Sequence, residues 1–341
     1  MNNEIKEIRK TIQANGGESF LVGGCVRDYI LGIPSKDVDC EVFGLNIEKL
    51  VSVLESFGKV DLVGKSFGVV KLTTRTEDYD FSLPRKDNKV GVGHKDFEVE
   101  VDHTMTPREA AERRDFTINA MSMDIDGNLI DPFGGEADLK IGQLEPTSVY
   151  FKEDALRVLR GMQFAGRFDL EASIDAEIYA REMKSDYKYL SLHRIRTEWE
   201  KWALKSVKPS MGLQFLMDTD WIEFYPELND LVELHQSPVH HPEGDVFTHT
   251  GMVCDAAADI ATRENLNDED RLVLVLSALC HDLGKATTTI VEDGRIKSPG
   301  HAKAGEKLTE SLLTSMGFSD KVIERVVPLV VCHMDALNFK V

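Results

Sequence analysis

The chain has 341 residues, 42% of them hydrophobic and 29% charged, with a formal net charge of −19. That length admits two or three domains with a sizeable core. The longest clean apolar run, Leu272 to Cys280, is far short of the ~20 residues a spanning helix needs, which excludes a helical membrane anchor within it.

The opening MNNEIKEIRKTI predicts an amphipathic helix with Ile5, Ile8 and Ile12 inside, and it has no signal-peptide core. Five cysteines in no regular pattern point to reduced thiols and a cytoplasmic setting. An acidic chain is an unexpected partner for nucleic acid, because phosphate contacts come from Lys and Arg. The charge is unevenly spread, however. Residues 1–150 carry 18 basic and 27 acidic side chains, 151–210 carry 12 and 10, and 211–341 carry 10 and 22. The positive middle suits an RNA track; a solvated helical face accounts for the same counts.

The stretch FLVGGCVRDYILGIPSKDVDCEVFG, Phe20 to Gly44, organises the first half. It predicts a strand, a glycine turn, a short helix, a turn at Gly32 to Pro34, and a second strand. Paired glycines let a phosphate approach backbone N–H groups at a helix start. Asp37 and Asp39 are two apart on a strand, so both carboxylates face one site. Such a pair can hold divalent ions beside a triphosphate. Taken singly, a Gly-Gly turn or an Asp-x-Asp is commonplace; in this order and spacing they are far more specific. GGxVRDxxLG followed by DxD resembles the polymerase-beta-like nucleotidyltransferases, in the form of the bacterial tRNA nucleotidyltransferase and poly(A) polymerase family.

Further strands are predicted at Val60 to Val63, Gly68 to Thr73, Tyr79 to Leu83 and Phe97 to Val101, with a loop over Pro84 to Gly93. Asp80 is either a surface acid or, as the resemblance implies, a third carboxylate on a neighbouring strand. Arg113-Arg114-Asp115 could be a solvated helix face; the family resemblance implies contacts with triphosphate and ribose, which suit arginine's planar fork. Asp131 to Gly135 reads as a turn, and in the family marks the joint between head and neck. From about Asp154 helical periodicity dominates. The run from Glu153 to Arg160 predicts a helix with Asp154, Arg157 and Arg160 on one polar face, open to an ordinary Glu153–Arg157 ion pair. The resemblance implies instead that Asp154 and Arg157 address the edge of the incoming base. HRIRTEWE, His193 to Glu200, is expected to buttress that helix.

Four histidines in the C-terminal third stand in a further order: His249, His281 followed by Asp282, His301 and His333. Imidazole and carboxylate together suit a transition ion. Cys254, Cys280 and Cys332 lack paired spacing and are expected as buried thiols. The order resembles the HD-domain phosphohydrolases, all-helical folds with a metal site in the bundle.

The resemblance thus implies an α+β protein: a polymerase-beta-like nucleotidyltransferase head with a mixed sheet (residues 1–135), an all-helical neck (136–225) and an all-helical HD domain (226–341). It implies Asp37 and Asp39 as catalytic ligands of Mg²⁺, and Gly24, Arg27, Arg114, Asp115, Asp154, Arg157 and Arg160 as nucleotide-binding residues. The expected activity is addition of C, C and A to the tRNA 3′ end from CTP and ATP, with no protein partner. The expected HD activity is phosphatase or 2′,3′-cyclic phosphodiesterase with Ni²⁺, Co²⁺ or Mn²⁺. Poly(A) or A-only addition uses the same motifs, though no added arginine cluster follows the neck. An HD phosphohydrolase with a degenerate head is the rival of another class, against which the intact DxD weighs. Members of the group carrying an HD domain continue beyond the last candidate ligand, whereas this chain stops at Val341.

Overall fold

The computed structural model describes residues 3–34, 38–63, 68–89, 97–102 and 104–335. They form two compact units, Met1–Asp154 and Ala155–Val341.

The first unit is α+β. Helix α1 (Asn3–Ala14) leads into β1 (Glu18–Val22), α2 (Gly24–Ile30), β2 (Asp39–Phe43), α3 (Ile47–Leu54), β3 (Lys59–Val63), β4 (Val69–Thr73) and β5 (Asp78–Ser82). A hairpin of β6 (Arg85–Lys89) and β7 (Phe97–Val101) follows, then α4 (Pro107–Glu112), β8 (Ser122–Met123), β9 (Leu129–Ile130) and α5 (Gly135–Ile141). Seven strands make one mixed sheet in the order β3-β4-β5-β2-β1-β8-β9, parallel at β2/β5 and antiparallel elsewhere. Alternation along β2 sorts its faces. Cys40 and Val42 turn into a core with Ile5, Ile8 and Ile12 of α1 and Leu50 and Leu54 of α3. Burial pushes the Cys40 thiol up to about 12, so it stays protonated and inert. Asp39 and Glu41 take the opposite face, next to a smaller cluster of Phe20, Val22, Phe43, Met105 and Ala110.

One expectation is corrected here. The stretch from Pro84, read as a loop, opens with β6, paired antiparallel to β7 from Arg85↔Val101 to Lys89↔Phe97. The alternating FEVEV run needs a ladder partner, and the polar RKDNK stretch supplies it.

The second unit is helical apart from short strands. Its longer helices are α6 (Leu156–Phe168), α7 (Ile174–Glu182), α8 (Leu192–Lys205) and α9 (Pro209–Asp218), then, after the one-turn α10 (Pro226–Asn229), α11 (Val246–Arg263) and α12 (Asp268–Cys280). Beyond the one-turn α13 (Lys285–Thr288) a hairpin, Ile290–Glu292 with Arg295–Lys297, leads to α14 (His301–Ser315) and α15 (Asp320–Cys332). Helices α6, α8 and α9 pack so closely that a Cβ on Gly212 would stand 2.6 Å from the Met162 carbonyl and the Trp202 indole nitrogen. Helix α8, which carries the HRIRTEWE segment, packs against α6 as expected, with Ile195 and Trp199 of that segment buried.

The predicted helix from Glu153 is shorter than expected. It starts at Leu156, and Asp154 precedes it in extended conformation (φ −137°, ψ 111°). Glu153 Oε1 accepts from Arg113 Nη2 at 2.6 Å. Cys254 and Cys280 are buried as expected, but Cys332, at the end of α15, is exposed. No described helix is long and apolar enough to cross a membrane.

Candidate active site and candidate metal centre

In the first unit the glycine turn works as its sequence suggests. Gly23 sits at φ +69°, a region costly for any residue with a Cβ, and a Cβ there would meet Arg114 Nη1 at 3.0 Å. Arg114 therefore lies directly over the turn that Gly24 continues into α2. Its Nη2 donates to Glu41 Oε2 at 3.1 Å. Glu41 extends the Asp37–Asp39 alternation by one step, a signal present in the sequence but not read. Asp37 lies outside the described residues. Asp39 is aligned with Asp80 across the parallel β2/β5 pair. Equivalent positions of parallel strands present side chains to the same face, so Asp80 stands beside Asp39 on the Glu41 side of the sheet.

Arg27 and Asp115 are differently disposed. Arg27, 3% exposed, donates from Nε and Nη2 to Asp28 Oδ1 at 2.9 and 2.7 Å, and from Nη1 to Asn119 Oδ1 at 2.5 Å. Asn119 passes the link on, donating to Asp115 Oδ1 at 3.0 Å; the Phe116 amide donates to the same oxygen at 2.8 Å. The chain Asp28–Arg27–Asn119–Asp115 is a buried brace under the glycine turn, and Asn119 had no motif to reveal it. Asp131 caps α5 with both carboxylate oxygens, accepting from the amides of Gly135 and Glu136 at 2.9 Å each. Arg157 and Arg160 project from α6, the latter with its guanidinium 5.1 Å from the Phe164 ring centroid.

In the second unit, all five predicted ligands converge. Asp282, at the turn after α12, has a side chain only 3% exposed. His281 Nε2 is 3.1 Å and His249 Nε2 3.7 Å from its Oδ2, while His301 Nε2 is 3.3 Å and His333 Nε2 3.9 Å from its Oδ1. Each imidazole is oriented from behind. Nδ1 of His281, His301 and His333 donates to the carbonyl three residues earlier, at 2.8, 2.8 and 2.6 Å. His249 Nδ1 pairs with Glu243 at 2.6 Å instead, and Glu243 also holds His241 Nδ1 at 3.0 Å. With Nδ1 carrying the proton, each Nε2 presents a lone pair.

That pattern fits a bound cation. The Nε2 atoms of His301 and His333 face each other at 3.1 Å. If both Nδ1 atoms donate to carbonyls, two lone pairs meet there, repulsive unless a positive ion lies between. Burial lowers the pKa of His249 and His333, which favours the neutral, ligating form. Three groups of metal-ligand type lie here: His249–His281–Asp282, Asp282–His301–His333 and His241–Glu243–His249. Lys285, Nζ 2.7 Å from Asp282 Oδ2, escaped the sequence reading although i,i+3 spacing in HDLGK brings the two together.

Comparison with known proteins agrees with both halves. Residues 19–145 match the Poly A polymerase head domain family and residues 246–339 the HD domain family. The multifunctional CCA protein of Nitrosospira multiformis is 38% identical over 298 residues, 86% of this chain and 68% of that protein. That of Haemophilus influenzae is 36% identical over 299 residues, covering 86% and 69%. Among solved structures, the Bacillus stearothermophilus CCA-adding enzyme in complex with CTP superposes with a TM-score of 0.66 at 21% identity, over 99% of this chain and 72% of that one. The Thermotoga maritima CCA-adding enzyme complexed with tRNA gives 0.62 at 20%, over 99% and 72%. At those identities the structures share the fold, a mixed-sheet nucleotidyltransferase head with a helical HD-containing remainder. The sequence relatives reach further, through both units at more than a third identity, and the chain belongs to the multifunctional CCA protein family.

Proposed function

We propose that this chain adds C, C and A to the 3′ end of tRNA from CTP and ATP, releasing pyrophosphate. Family membership supports the reaction, and one observation carries it to these residues. Arg114 lies over the Gly23 turn on the sheet face that presents Asp39, Asp80 and Glu41.

In this reading Arg114 receives the triphosphate on its planar fork, with the Gly23–Gly24 backbone beneath it. Arg27 and Asp115 act from below, holding the turn through Asn119. Asp39, with Asp37 and Asp80, would hold Mg²⁺, which supplies Lewis-acid activation of the α-phosphate and of the terminal 3′-hydroxyl. Asp154 and Arg157 select the base by its hydrogen-bonding edge, and Arg160 supports them. Head, neck and HD domain divide at about residues 135 and 225. The basic stretch 151–210 is the RNA-facing part.

For the HD centre we propose metal-dependent hydrolysis of a phosphomonoester or 2′,3′-cyclic phosphate at RNA ends. His249, His281, Asp282, His301 and His333 would hold Ni²⁺, Co²⁺ or Mn²⁺, and a bound ion lowers the pKa of its water toward ~7. Such trimming would prepare damaged tRNA ends for addition.

Incubation of tRNA lacking its terminal CCA with each nucleoside triphosphate, alone and in combination, tests the first reading on a sequencing gel. CTP alone should extend by two residues and CTP with ATP by three. Long A-tails from ATP alone would make the chain a poly(A) polymerase.

A further inference from the structure

Strand β2 turns Asp39 and Glu41 to the same face of the sheet, but their neighbours across the ladder differ. Asp39 is aligned with Asp80 on β5, so two acidic residues stand side by side. Glu41, one step further along that face, is aligned with Ser82 on β5 and with Phe20 on β1. It therefore lies beyond the acidic pair. Glu41 and Arg114 line one small cavity with Phe20, Val22 and Phe43, and their side chains are only 12% and 25% exposed. Among these apolar neighbours the carboxylate has one charged partner, Arg114 Nη2, which donates to Oε2 at 3.1 Å. The contact is end-on. It uses one terminal nitrogen of the guanidinium, while the other, Nη1, stands 3.0 Å from where a Gly23 Cβ would be.

We propose that Glu41 is a positioning residue for nucleotide binding: it tethers Arg114 Nη2 so that Nη1 faces the Gly23–Gly24 turn before the triphosphate arrives. The inference rests on reading Arg114 as the residue that receives the triphosphate. An untethered arginine side chain samples many rotamers, and ordering it on binding costs affinity. The tether removes part of that cost in advance. It also settles which carboxylate the guanidinium takes. Asp39 and Asp80 share this face, and an arginine paired with either would neutralise charge that a divalent ion needs. Glu41 supplies an acid out of line with that pair. Reach is what matters here, because a negative charge by itself repels the triphosphate.

The test separates reach from charge. Dissociation constants for CTP and for ATP are measured on the full chain by equilibrium dialysis with Mg²⁺ and without tRNA, beside kcat for addition. Glu41→Gln keeps an acceptor at the same reach without the charge, and should bind both nucleotides within about twofold of wild type. Glu41→Asp keeps the charge but falls one methylene short of Arg114, and Glu41→Val keeps neither. Both should weaken CTP and ATP alike by about fivefold, the size expected for ordering one long side chain, with kcat nearly unchanged. In an Arg114→Ala background the same substitutions should have no further effect, a silence that a merely structural role would not produce. Wild-type affinity in Glu41→Asp, losses in Glu41→Gln equal to those in Glu41→Asp, or losses that add in the double variants would overturn the proposal. So would a collapse of kcat with a raised Mg²⁺ requirement in Glu41→Gln, which would make Glu41 a metal ligand. If Glu41→Val fails to fold, the Gln and Asp variants still decide it. Wild-type affinity in Arg114→Ala would instead defeat the reading of Arg114, and the proposal with it.

Discussion

At the scale of single residues, the head is arranged around positions with no spare room. Gly23→Ala places a methyl group at a left-handed φ and against the Arg114 guanidinium. We expect it to cost about 1 kcal/mol of stability and to weaken binding of CTP and ATP alike. Urea unfolding and nucleotide titration on the same preparation check the two effects. Unchanged nucleotide affinity would mean that Arg114 does not serve the triphosphate from that position. Asp39→Ala should leave the fold intact and reduce nucleotide addition to below ~10% of wild type, since it removes a ligand for the charge that develops in transfer. Asp80→Asn is expected to fall by a similar factor if the β2/β5 alignment makes Asp80 the third carboxylate, and wild-type turnover would return it to a surface acid.

At the scale of elements, the account turns on where α6 begins. Asp154 lies just before the helix, in extended backbone, while Arg157 projects from its first turn. Asp154→Ala should therefore blur the choice between CTP and ATP more than it weakens binding, and Arg114→Ala should weaken all nucleotides alike. Steady-state constants for CTP, ATP, UTP and GTP separate the two; equal losses across all four in both variants would make Asp154 structural. This start was not legible in the sequence: the residue that holds Glu153 just before it, Arg113, is 40 positions away in the chain. Local signals did better. The Ile5–Ile8–Ile12 stripe, the glycine turn and the strands through β5 all follow from residues within a few positions of one another. The β6/β7 hairpin failed for the opposite reason, since RKDNK is an unremarkable polar stretch until FEVEV is laid beside it. In the second unit the histidine order picked out side chains that the fold brings together. The groups behind them, Glu243 and the carbonyls of Ala278, Ser298 and Val330, became visible only once the helices had brought the rings together.

At the scale of the whole molecule, the chain carries two candidate sites in two compact units, with residue sets that share no member. Carboxylates on the sheet face suit a hard ion, whereas the imidazole-rich cluster around Asp282 suits a transition ion. The central claim is that these sites work independently. The most direct measurement assays one set of proteins, wild type, Asp39→Ala and His281→Ala/Asp282→Ala, for two activities in parallel. The first is addition to tRNA lacking its CCA end with CTP, ATP and Mg²⁺; the second is hydrolysis of a 2′,3′-cyclic phosphate with Ni²⁺, Co²⁺ or Mn²⁺. The account predicts a reciprocal pattern: Asp39→Ala loses addition and keeps hydrolysis, while the double variant keeps addition and loses both hydrolysis and the bound transition ion. Loss of both activities in Asp39→Ala, or hydrolysis that persists at wild-type rate in the double variant, would contradict it.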